Sequence, residues 1–243
     1  MKFRVVKFDT NSNFPVLSVL KINASETFMM YETFEETIHP AHSALLVTDV
    51  QNDFCKDASR QAMIPQIARV IEAARRCGVL VVYIQNTVLR DNLSDAPSDV
   101  MRRRKLGINT DVTIEGTWGH QIVDQLKPGP NEPVVRKHRL SAFIGTTLDI
   151  MLRSKAIQTV VVTGTATHGC VINTAYGAIA HNYYVVVVED GVASWRKDLH
   201  DSALFLMRNT INYVTDAGKL IDAWEQHAAA ARRASPDSIA AQK

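Results

Sequence analysis

An acid, an amine and a thiol stand at three widely separated points of the sequence. They are Asp49 in Thr48-Asp49-Val50-Gln51, Lys137 in Val135-Arg136-Lys137-His138, and Cys170 in Thr167-His168-Gly169-Cys170-Val171. Brought together, they suit nucleophilic acyl transfer. A thiolate attacks a carbonyl, a nearby cation favours the ionised sulfur, and a carboxylate takes the thiol proton and returns it to a leaving amine. Cys170 follows a turn over 164–169 and opens a stretch of helical spacing. A thiol there feels the positive end of the helix dipole, and the free N–H groups beside it can hold an oxyanion. With the charge of Lys137 added, this placement predicts a thiol that ionises and alkylates well below the ordinary value of about 8.5. Singly, each residue also fits a plainer role: a small buried apolar group for the cysteine, a helix cap for the aspartate, a solvated surface group for the lysine. Cys55 and Cys77 have no comparable setting and read as structural.

The three residues meet only if the chain brings several strand ends to one edge. Apolar runs at 44–49, 79–85, 159–163 and 184–189 read as buried strands, with shorter ones at 133–136 and 211–215. Helical spacing marks 61–77, stopped by Gly78, and then 118–126, 147–154, 171–181, 199–208 and 216–231. Strands this rich in valine, alternating with helices, are buried on both faces. The fold class is therefore α/β: a three-layer α/β/α domain on a mostly parallel, Rossmann-like sheet of about six strands. Ligands of such sheets bind beyond the carboxyl ends of the strands, where Asp49, Lys137 and Cys170 fall. Residues 1–40 read as an irregular N-terminal extension with one strand near 14–20, residues 41–230 as the domain, and 231–243 as a frayed tail. Residues 87–117 form a long polar stretch, in which Arg102, Arg103, Arg104 and Lys105 read as a solvated loop face.

Composition narrows the class. The chain has 243 residues, long enough to bury roughly 70–75% of its unfolded surface. Its 27 basic and 25 acidic residues leave a net charge of +2, which gives no electrostatic case for a nucleic-acid or membrane partner. No apolar run reaches the ~18 residues that span a bilayer, and the first residues lack the apolar core of a signal peptide. Three cysteines cannot build a disulfide framework, which points to a reducing, cytoplasmic setting.

Three segments, in order, carry a family resemblance. They are 44–54 (ALLVTDVQNDF), 137–143 (KHRLSAF) and 164–171 (GTATHGCV). The chain resembles the isochorismatase-like cysteine hydrolases, a group that includes nicotinamidases, N-carbamoylsarcosine amidases, biuret hydrolases and ureidoacrylate amidohydrolases. The resemblance covers about residues 40–225. It implies an Asp49–Lys137–Cys170 triad, an oxyanion hole made by the backbone N–H groups of Ala166 and Cys170, and a cis peptide at Thr165–Ala166. It also implies hydrolysis of a small amide, carbamoyl or ureido C–N bond through a thioester, releasing ammonia or an amine. Metal-dependent nicotinamidases carry an Asp-x-His pattern beyond the first segment; residues 87–100 contain no histidine. No metal and no organic cofactor are therefore expected. Vinyl-ether isochorismatases lack the nucleophilic cysteine, so Cys170 argues against that chemistry. Family members are commonly oligomeric, and a homo-oligomer is expected. The rivals are a nicotinamidase working without metal and a catalytically idle scaffold of the same fold; three intact triad residues have no use in the second.

Further side chains are placed at the substrate by the same reading. Phe54 and Phe143 follow the first two segments and are expected to wall the pocket. Gly116-Thr117-Trp118 resembles a segment of the ureidoacrylate and biuret branch, which makes Trp118 either a pocket wall or a packing residue. Arg139, two residues past Lys137, would point the same way in an extended segment and bind a substrate carboxylate, or else form a structural ion pair. His168 lies beside the nucleophile. His138 should point away, Thr167 should hydrogen-bond within its own turn, and Asn173 and Tyr176 lie one turn into the next helix.

Overall fold

Val160, Val162, Val185 and Val187 bury one face of a sheet and Val161, Val186 and Val188 the other, which is the period-two pattern of strands covered on both sides. The computed structural model describes residues 30–233. Its six strands are Ser43–Thr48 (β1), Leu80–Asn86 (β2), Val134–Lys137 (β3), Thr159–Thr165 (β4), Tyr184–Ala193 (β5) and Tyr213–Thr215 (β6). All neighbouring pairs are parallel, in the order β3-β2-β1-β4-β5-β6. The helices are Phe34–Thr37 (α1), Ala58–Cys77 (α2), Pro97–Lys105 (α3), Leu148–Ser154 (α4), Ile172–Ala180 (α5), Lys197–Thr210 (α6) and Ala217–Arg233 (α7).

Two cores make the three layers. On one face Leu45, Val47, Val81 and Tyr83 pack with Ile67, Val70 and Ile71 of α2 and Leu220 and Trp224 of α7. On the other, Ala44, Leu46, Val82 and Ile84 pack with Leu148 and Leu152 of α4, Ala175 and Ala178 of α5 and Leu204 and Met207 of α6. Each such side chain, fully buried, contributes about 1.5–3 kcal/mol. The expected three-layer parallel sheet is the one observed. Gly78 caps α2 in the left-handed conformation, at φ 75°.

Four local readings change. Residues 34–38 are ordered into the first core rather than irregular: Thr33 and Glu36 close a capping box on α1, and the indole Nε1 of Trp224 donates to the Ile38 carbonyl at 2.8 Å. The arginine run is helical, within α3, because Pro97 starts the helix and Asp99 pairs with Arg102 and Arg103. Residues 118–126 form turns and a short 3-10 segment at Asp124–Leu126, held by a bridge of Ile122 to Gln51, instead of an α-helix. Arg232 and Arg233 continue α7. The strand expected near 14–20 and the tail from 234 onward lie outside the described residues.

Candidate active site

The strand order reverses between β1 and β4, the switch point at which parallel sheets bind ligands. Gly164 of β4 lies opposite Thr48 of β1. Its φ of 109° is open only to glycine, and an added Cβ would lie 1.9 Å from the Thr48 carbonyl oxygen. The next residue of β1's path, Asp49, leaves the strand at φ 54°, a conformation that aspartate tolerates better than most. On the other side of Gly164 the chain enters the turn that carries Cys170. The peptide Thr165–Ala166 is cis, and Thr167–Val171 winds as a π-type turn broken at Gly169 before α5 begins.

Asp49, Lys137 and Cys170 come together. The Lys137 ammonium is 2.9 Å from Asp49 Oδ2 and 3.2 Å from Cys170 Sγ. It also donates to the Arg139 carbonyl at 3.0 Å and to Asn86 Oδ1 at 3.4 Å. Asn86 ends β2, in register with Lys137 at the end of β3, and β2 and β1 stand between Lys137 and β4, the strand that leads to Cys170. Asp49 and Lys137 are both wholly buried, while Cys170 stays partly accessible from the cavity above it.

Burial alone would depress the Lys137 ammonium, but the Asp49 carboxylate and the hydrogen bond to Cys170 outweigh it and hold the group above its ordinary value. The thiol is the correction. Burial and the Asp49 carboxylate push Cys170 up to about 12, and the opposing charge of Lys137 does not cancel them. The direction is therefore upward, away from the low-pKa thiolate expected from a helix dipole and a lysine.

A cavity of about 530 Å³ opens above the three residues. Ala166 and Cys170 lie on its floor, and Phe54, Arg139 and His168 line it as expected. Arg139 Nη1 donates to the carbonyls of Ser94, at 3.0 Å, and His138. Of the four arginines around the cavity, Arg60, Arg102 and Arg103 are paired with Asp57, Asp99 and Asp95, and of these four Arg139 has no carboxylate partner among the described residues. His168 hydrogen-bonds Ser194 Oγ through Nδ1 and meets Trp195 edge-on at 4.7 Å. Burial, then the charge of Arg196, lowers its pKa and keeps the ring neutral.

Trp118 and Phe143 do not line the cavity. Trp118 is 65% exposed, and its carbonyl accepts from Asn52 Nδ2 and the Gln121 N–H. Phe143 is buried in the second core, stacked on His181 at 4.9 Å. His138, expected to point away, does line the cavity, with Nδ1 donating to the Thr87 carbonyl at 2.7 Å. Thr167 bonds His200 of α6 rather than its own turn. Asn173 reaches the cavity, and Tyr176 bonds Thr210 instead. The lining residues not anticipated from sequence include Asn86, Trp195 and Arg60. The first two follow the rule that found Asp49, since Asn86 ends β2 and Trp195 lies just past β5. Among the described residues no group of three His, Cys, Asp or Glu side chains is placed to hold a metal ion, and no helix is long and apolar enough to cross a membrane.

Comparison with known proteins places the chain among hydrolases of one family. The chain is 32% identical over 209 residues to the ureidoacrylate amidohydrolase RutB of Cronobacter turicensis, covering 77% of this chain and 90% of that protein. It is 30% identical over 210 residues to RutB of Enterobacter sp. strain 638, covering 77% and 91%. The crystal structure of N-carbamoylsarcosine amidase from Thermoplasma acidophilum superposes with a TM-score of 0.61 at 30% identity, covering 72% of this chain and 96% of that one. The isochorismatase domain family matches residues 43–219, which hold every strand end described above, and the chain belongs to that family.

Proposed function

We propose that this protein, an amidohydrolase by its relatives, cleaves a small amide, carbamoyl or ureido C–N bond through a thioester on Cys170. The observation that carries the reading is one ammonium, Lys137 Nζ, within 3.2 Å of the thiol and 2.9 Å of the carboxylate at the floor of an open cavity.

The raised thiol pKa sets the order of events. Cys170 keeps its proton until a carbonyl arrives. Asp49 then takes that proton as sulfur bonds to carbon, and the carbonyl oxygen becomes an oxyanion on the Ala166 and Cys170 N–H groups. The C–N bond breaks, and Asp49 gives the proton to the departing nitrogen, which leaves as ammonia or an amine. Water then attacks the thioester, with Asp49 accepting its proton, and the acid departs as the thiol is restored. Lys137 stays protonated throughout and holds the Asp49 carboxylate and the Cys170 sulfur in register. Arg139, with no carboxylate of its own, receives an anionic end of the substrate. The free state of Cys55, Cys77 and Cys170 fits a cytoplasmic enzyme.

The test is ammonia release from ureidoacrylate, biuret, N-carbamoyl amino acids, nicotinamide and aliphatic amides, with wild type and Cys170→Ala in parallel. Turnover lost in the variant supports the reading. Turnover that survives the substitution removes the thioester mechanism, and no turnover of any member of the panel supports the idle scaffold instead.

A further inference from the structure

The cavity is larger and more apolar than its chemistry at the floor requires. Its volume of about 530 Å³ is equivalent to roughly eighteen waters at about 30 Å³ each. It falls in the ~300–1,000 Å³ range of pockets that enclose drug-sized ligands. A ureido acid no larger than ureidoacrylate fills a minor part of it.

The excess has a distinct lining. Leu106, Ile108 and Val112 come from α3 and the segment after it, Ile144 from the loop after β3, Trp195 from the end of β5 and Phe54 from the loop after β1. These are four separate stretches of chain converging on one space. Leu106 and Ile144 are each 61% exposed and Trp195 is 44% exposed. Isolated exposed apolar side chains are ordinary, but large ones gathered around a single concavity mark a surface built to be covered. Nearby cations do not change its character, because Arg60, Arg102 and Arg103 are held by Asp57, Asp99 and Asp95. The Arg60 guanidinium moreover lies 5.3 Å from the Trp195 ring and is engaged by it.

We propose that the substrate is a carbamoyl or ureido compound whose nitrogen substituent carries an aromatic or branched-alkyl group, and that Leu106, Ile108, Val112, Ile144, Trp195 and Phe54 bind that group. The proposal rests on the hydrolase reading of Cys170 and names the substrate class for it. Each methylene that enters such a wall raises kcat/KM by about tenfold or somewhat more.

The probes are N-carbamoylglycine, N-carbamoylleucine and N-carbamoylphenylalanine, both enantiomers of the last two, with ureidoacrylate as the compact reference. Ammonia release is measured for wild type, Cys170→Ala, Trp195→Ala and Leu106→Asn. The expected result is a kcat/KM that climbs at least about tenfold from the glycine to the phenylalanine compound. Trp195→Ala and Leu106→Asn should then shrink that ratio, whereas a general loss of folding lowers both substrates alike. A kcat/KM that is flat or falls with side-chain size, in a protein that does turn over ureidoacrylate or N-carbamoylglycine through Cys170, overturns the apolar chamber and leaves the hydrolase standing. Silence on every probe overturns both.

Discussion

Gly164 and Thr48 touch so closely across β4 and β1 that a Cβ on the glycine would stand 1.9 Å from the threonine carbonyl oxygen. The contact sets the two catalytic segments side by side, since Asp49 follows Thr48 and the nucleophile turn follows Gly164. Gly164→Ala therefore meets both a backbone obstacle and a left-handed φ of 109°. A loss of about 3 kcal/mol or more is expected, read as a lowered denaturation midpoint together with lost turnover. A variant as stable and active as wild type would show that the strands can part at no expense.

The buried ion pair gives a second prediction. Removing one partner, as in Lys137→Met or Asp49→Asn, leaves the other buried without its counter-charge and should destabilise by about 3–5 kcal/mol. The double variant should recover much of that stability and none of the activity. Chemical denaturation and ammonia release on the four proteins measure the two effects separately. If the double variant were as unstable as the sum of the singles, the pair would not be coupled.

Thiol reactivity follows from charge. Asp49 raises the Cys170 pKa and Lys137 lowers it. Asp49→Asn removes the first influence and keeps the second. Alkylation of Cys170 by a neutral reagent near pH 7.5 should then become faster in the variant while turnover collapses. In the wild type the alkylation rate should keep rising past about pH 9, without the plateau of an ordinary thiol. A wild-type plateau near neutrality contradicts the resting state described here.

Stability at alkaline pH has a fixed sign. Burial pushes Cys55 as well as Cys170 up to about 12 in the folded chain, whereas thiols of the unfolded chain ionise near about 8.5. Between those values the folded form binds more protons, so the unfolding free energy falls as pH rises. Denaturant midpoints compared from about pH 8 to about pH 10.5 should drop less in a Cys55→Ala/Cys170→Ala protein than in wild type. Parallel slopes would exclude the thiols as the cause.

Trp224 tests the N-terminal edge. Its indole donates to the Ile38 carbonyl, and both residues are fully buried. Trp224→Phe leaves that carbonyl unpaired and should lower stability by about 1–3 kcal/mol, with little effect on kcat. An unchanged melting point would mean that the carbonyl finds another donor.

Much of this was readable before any coordinates. Asp49, Lys137 and Cys170 each sit at or just past a strand end, and parallel strands share one edge, so valine runs alone were enough to bring them near one another. The helix α3 was missed because it buries no side chain and so shows no apolar period. Trp118 and Phe143 were misplaced because loop residues have no period at all; proximity to a motif does not tell which way a ring turns. The arginine run gave no sign of facing the cavity, because its partners Asp95 and Asp99 are ordinary loop and helix acids. The thiol was misjudged in direction. A helix dipole and a lysine can be counted along a sequence, but the dehydration of Cys170 and the closeness of Asp49 exist only in three dimensions.

Asp49, Lys137 and Cys170 stand at the carboxyl edge of the sheet, whose position the two cores hold. Much of the chamber above them belongs to 94–112 and 140–144, stretches that add no strand to the sheet. Reactivity and selectivity are thus written in separate parts of the polypeptide. A lineage can rewrite the outer wall, by substitution or by insertion, and inherit the same reaction unchanged. Divergence in this architecture should therefore appear first as a change of clientele rather than of chemistry.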